Sequence, residues 1–103
     1  MESYSAQKPH STVAEYLALH IGRSEKTQAQ IAEESGFPKS NVISMLKNGQ
    51  TKLPIARIPA FARSLNVCEH ELFYLAMREY NPDWLAVIER LFVSKLELMQ
   101  SGG

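Results

Sequence analysis

Apolar residues along this chain recur at helical spacing, and nowhere do they alternate as a half-buried strand would. Thr12 followed by Glu15 has the spacing of a capping box, and Val13, Tyr16, Leu17 and Ile21 continue as the stripe of a first helix. Thr27 is positioned to cap a second helix, QAQIAEES, which ends at Gly36. A third helix is predicted over about residues 38–48 within SGFPKSNVISMLKNG, and Asn48-Gly49 closes it. Between alternating strands Asn-Gly would signal a hairpin; without them it is a helix stop. A fourth helix over residues 55–65 packs Ile58, Phe61, Ala62 and Leu65, with Pro59 tolerable only inside the first turn. The fifth, over residues 69–80, opens with Glu69 and Glu71, whose charge suits the dipole of a helix start. Asn81-Pro82 then reads as cap and first position of a sixth helix running to about residue 99. The expected fold is all-α. Residues 1–10, polar and aperiodic, are expected to be disordered.

The third helix divides its residues unevenly. Val42, Met45 and Leu46 form an apolar side, while Lys39, Ser40, Asn41 and Ser44 crowd the other. A helix that buries one face and displays short hydrogen-bonding side chains on the other presents that face to a partner. Charge sharpens the picture. Net charge is zero, but residues 35–66 hold Lys39, Lys47, Lys52, Arg57 and Arg63 with no acid, a local balance of +5. Residues 67–103 hold three bases and six acids, a balance of −3. The basic block coincides with the third helix, which favours a functional patch over chance clustering.

Two short helices joined by a tight glycine turn, the second polar on its outer face, suit entry into the DNA major groove. That groove admits one helix, and its base edges offer donors and acceptors that Asn, Ser and Lys can address. The crossing of the two helices demands a small residue, and Ala32 supplies it; Gly36 can take the positive φ of the turn. In TQAQIAEESGFPKSNVISMLKNGQTKLP, the residues Gln28, Ile31, Ala32, Gly36, Phe37, Val42 and Met45 resemble the helix-turn-helix of phage repressor and Cro-like regulators, the XRE family. The flanking helices, including FARSLNV, extend the likeness over about residues 12–80. The resemblance implies a five-helix, lambda-repressor-like DNA-binding domain over residues 11–80; the sixth helix, read from the pattern alone, follows it over 81–100.

The resemblance also implies roles. Gln28, with Thr27 before it, meets the DNA backbone and braces the reading helix; Lys39, Ser40, Asn41 and Ser44 take the base-reading positions. Lys47 falls at a phosphate-facing position, and Asn48, Thr51 and Lys52 follow in a loop that touches the backbone. Phosphate contacts want cations and base contacts want short directional side chains, so the chemistry fits. The chain departs from the family pattern in three places. Ser35 stands where an aliphatic residue is usual, which thins that corner of the core. Ile43 lies near the base-reading side, to contact a thymine methyl or to pack against Leu53. The segment from Gly36 to Gly49 is one residue longer than the commonest spacing, which leaves the roles of Lys47 and Asn48 open.

The sixth helix is too apolar for the surface of so small a domain. Leu85, Ile88, Phe92, Leu96 and Met99 form one stripe, which can complete the core. Trp84, Val87, Leu91 and Leu98 form a second, left over as a dimer interface unless the helix folds back over the first and fifth and buries both. The leading expectation is a dimeric repressor on an inverted-repeat operator in double-stranded DNA, as in phage or mobile-element regulators. The alternative is an antitoxin-like module whose last helix binds a different protein.

The remaining features narrow the class. With 103 residues there is room for one core. Cys68 stands alone, and Cys68-Glu69-His70 lacks zinc-ligand spacing, so neither a disulfide framework nor a metal site is expected. The start, MESYSAQKPH, has no signal-peptide pattern, and no apolar run reaches the roughly 20 residues of a membrane span. The expected setting is the cytoplasm. His10, His20 and His70 are scattered, and no nucleophile–base pair, carboxylate pair or phosphate-binding glycine loop stands out, so neither an enzyme nor a cofactor is expected.

Overall fold

Helix capping begins where the sequence puts it. The computed structural model describes residues 12–93. In it the Thr12 hydroxyl oxygen accepts from the Glu15 amide at 3.0 Å and opens α1, Val13–Arg23. The Glu79 carboxylate accepts from the Val13 amide at 2.7 Å, so the start of α1 is also tied to the end of the fifth helix. Thr27 forms a complete capping box with Gln30 and starts α2, Gln28–Ser35. Gly36 ends it in the left-handed region at φ 84°, with its amide and that of Phe37 closing on Glu33 and Ala32.

The third helix is shorter than the sequence predicts. α3 spans Asn41–Lys47 rather than residues 38–48. Val42 and Ile43 donate back to the carbonyls of Lys39 and Ser40, three residues earlier, so a tighter turn precedes the helix and Lys39 and Ser40 lie before its first residue. Its buried side is also phased differently: Ile43 and Leu46 are fully enclosed, while Val42 and Met45 are half-buried. Ile43 therefore packs into the core with Leu53 instead of facing outward. Asn48 and Gly49 end the helix as expected, Gly49 at φ 74°.

A 3-10 turn over Ile55–Arg57 leads into α4, Ile58–Leu65, which puts Pro59 in the first turn. Then come α5, Glu69–Tyr80, and α6, Pro82–Ile88, which passes into a π-helical segment over Glu89–Val93. Every regular element among the described residues is helical. None is long and apolar enough to cross a membrane.

Helices α1, α2, α4 and α5 enclose one core, with α3 laid across α1 and α2. Phe61, Leu17, Ile31, Ile43 and Leu72 are at its centre. Ala32 is buried, as the tight passage between helices requires. Ser35 is buried too, and its hydroxyl has no hydrogen-bond partner among the described residues. α6 packs on α5 through Leu85, with Ile88 half-buried. Phe92, expected on the same inward stripe, is instead 59% exposed. The wider π turn changes the angle per residue and carries it off the stripe. Leu96, Leu98 and Met99, like residues 1–10, lie outside the described residues.

Candidate nucleic-acid interface

With Ile43 and Leu46 locked into the core, the rotation of α3 is fixed and the opposite residues have no choice but to face out. Lys39, Ser40 and Asn41 are exposed, and Ser44 is half-buried one turn along. Ser40 makes no side-chain capping bond, which leaves its hydroxyl available to an external partner. Lys47 is half-buried at the end of the helix, and Asn48, Thr51 and Lys52 are exposed in the segment that follows. Among the described residues, neither Lys39 nor Lys47 is paired with a carboxylate. The helix and its following loop thus bring the predicted base-reading and backbone-contacting residues of this segment onto one stretch of surface.

Thr27 and Gln28 stand at the start of α2, exposed and half-buried respectively. The Thr27 hydroxyl is committed to capping, accepting from the Gln30 amide at 3.1 Å, while the Gln30 side chain accepts from the Thr27 amide. Of the two, Gln28 has its side chain uncommitted to the cap.

Several contacts that hold this surface rigid have no local sequence signal. Lys26 reaches both the Glu34 carboxylate at 2.7 Å and the Ser64 carbonyl at 2.8 Å, and the Ser64 hydroxyl donates to the same Glu34 oxygen at 2.7 Å. The hydrogen bond from Lys26 holds the Glu34 carboxyl below its ordinary pKa, and that from Ser64 adds to it. These three side chains clamp α2 to α4. At the turn, the Arg57 guanidinium lies over the Phe37 ring, 5.8 Å from its centre, and Phe37 meets Phe61 edge to face.

Tyr80 organises the loop after α3. Its hydroxyl accepts from the Leu53 amide at 3.0 Å, and the Lys52 ammonium lies 5.4 Å above its ring. Burial is the main cause of the raised pKa of this phenol, which stays neutral and keeps the loop anchored. Sequence reasoning assigned Tyr80 no role because its partners are 27 and 28 positions away.

The second expected surface lies on α6. Trp84, Val87 and Leu91 are 69%, 53% and 56% exposed, so the helix does not fold back to cover them. Phe92 joins them. No family model, curated protein or solved structure matches this chain.

Proposed function

We propose that this protein is a sequence-specific DNA-binding transcription regulator with a lambda-repressor-like domain of the XRE type, acting in the cytoplasm as a dimeric repressor on an inverted-repeat operator. The observation that carries the reading is the outer face of α3. Asn41 and the half-buried Ser44 lie on a helix anchored behind by Ile43 and Leu46, with Lys39 and Ser40 exposed in the turn before it, inside a stretch of sequence with five cations and no acid. Asn41 and Ser44, on successive turns, read base edges; Lys39 and Ser40 contact the same groove from the turn ahead of the helix. Lys47, Asn48, Thr51 and Lys52 meet phosphates on one side and Gln28 on the other, which sets the helix in register without carrying sequence information. Thr27 holds Gln28 in place by capping.

One reading helix covers few base pairs, so two copies on half-sites about one helical turn apart supply selectivity. A two-fold pair needs a self-complementary patch, and the exposed Trp84, Val87 and Leu91 supply one. The same exposed face supports the second reading, an antitoxin-like module whose last helix engages a different protein. A homodimer in isolation favours the first reading, and a monomer that dimerises only with another protein favours the second.

Selection from a pool of random-sequence DNA duplexes tests the assignment. The expected outcome is enrichment of one inverted repeat. A pool that stays random after repeated rounds contradicts it.

A further inference from the structure

On the side where α6 joins the body, a groove of about 510 Å³ opens between the turn before α4, the first half of α5, and α6. Its size falls within the roughly 300–1,000 Å³ of small-molecule sites. Ile55, Ile58, Phe73, Leu85 and Ile88 line its walls. Three of these, Ile55, Phe73 and Ile88, remain half-buried, so the groove is apolar without being filled by its own side chains. Its polar rim has one sign. Glu69 and Glu89 contribute carboxylates from α5 and from the end of α6, and among the described residues no lysine or arginine lines the groove.

Interaction with the Glu89 carboxylate is the main cause of the raised pKa of the Tyr74 phenol, so that carboxylate lies beside the Tyr74 ring. His70 also lines the groove, and the Arg78 guanidinium lies 5.7 Å from the centre of the Tyr74 ring.

We propose that this groove binds a small organic cation, an amine carried on an aromatic or aliphatic body. The body removes the apolar walls from water, and the ammonium sits between Glu69 and Glu89 with the faces of Phe73 and Tyr74 beside it. An organic anion is disfavoured by the rim. Because the walls come from the body and from α6, an occupant also strengthens the attachment of that helix. The inference is independent of DNA recognition, which uses the opposite-charged surface around α3.

Three isosteric probes test it on the full chain at pH 8: 4-phenylbutylamine, 4-phenylbutan-1-ol and 4-phenylbutanoate, titrated by calorimetry. The amine is expected to bind at one site, at least tenfold tighter than the carboxylate, with the alcohol between them. It should raise the thermal midpoint. Replacing both exposed glutamates, Glu69→Gln with Glu89→Gln, should bring the amine down to the affinity of the alcohol while the circular dichroism stays that of the parent. Ile88→Trp should fill the groove and abolish binding of all three. Absence of saturable amine binding, equal affinity for amine and carboxylate, or an amine preference that survives the double substitution would each overturn the proposal.

Discussion

A Cβ placed on Gly36 would stand 2.7 Å from Nη1 of Arg57, whose guanidinium fills the space beside the turn between α2 and α3. Gly36 is also at φ 84°, where a side chain is strained by roughly 1–2 kcal/mol. Both effects oppose a substitution. Gly36→Ala should lower the thermal midpoint by about 4–8 °C for each kcal/mol lost and should displace Arg57 from the Phe37 ring. Gly22 supplies the control: it lies inside α1 and a Cβ there meets nothing within 4 Å. Gly22→Ala should stabilise the protein by about 0.5–1 kcal/mol, because alanine favours a helix interior. Differential scanning calorimetry of both variants checks the opposite signs.

Ser35 is the weak point of the same corner. Its buried hydroxyl has no hydrogen-bond partner among the described residues, and an unmatched buried polar group costs about 1–3 kcal/mol. Ser35→Ala removes that group at little loss of volume and should raise the thermal midpoint. A midpoint that falls instead would mean that the hydroxyl is satisfied in solution.

Much of this architecture was legible in the sequence, for reasons that differ by element. Thr12, Thr27 and Gly36 marked helix ends because capping is a local hydrogen-bonding problem whose partners lie within four residues. α5 begins and ends where the pattern predicts, at Glu69 and Tyr80, although Cys68 gives it no side-chain cap. The exposed stripe on α6 was readable because its apolar residues exceed what one core face can take. The phase of α3 was not. Val42, Ile43, Met45 and Leu46 are all apolar, so the pattern leaves Ile43 either to pack against Leu53 or to face outward; the core formed with α1 and Leu53 decides for packing. Phe92 was misplaced because a π turn, unlike a glycine or proline, has no composition signal. At the candidate interface the exposed polar residues were found, but their supports were not. The clamp of Lys26, Glu34 and Ser64 and the anchoring of Lys52 and Leu53 by Tyr80 join residues far apart in the chain.

If Lys47 and Lys52 contact phosphate, binding to every DNA sequence should weaken together when they are removed. Each lost contact should reduce the slope of log affinity against log salt by about 0.9. Fluorescence anisotropy at several salt concentrations checks this for Lys47→Ala and Lys52→Ala. The slope of the parent should be steep; a flat one would remove both residues from a phosphate surface. Lys52 also stacks over Tyr80, so Lys52→Ala should mildly loosen the loop in addition.

The dimer surface is tested at Leu91, which is more than half exposed. A carboxylate there is solvated in a monomer and unpaired when buried between two copies, which is costly. Leu91→Glu should therefore sediment as a folded monomer where the parent sediments as a dimer, and operator affinity should collapse while weak half-site binding survives. A parent that is monomeric at micromolar concentration, or a variant that remains dimeric, would remove α6 from the interface.

The most direct test of the central claim is the affinity of Asn41→Ala for the selected duplex compared with its affinity for a random duplex. Asn41 is exposed at the first position of α3, so its replacement should leave the thermal midpoint and random-duplex affinity unchanged. Affinity for the selected duplex should fall by about 1–3 kcal/mol, the worth of a good bidentate base contact. Unchanged discrimination between the two duplexes would contradict the assignment of α3 as the helix that reads DNA.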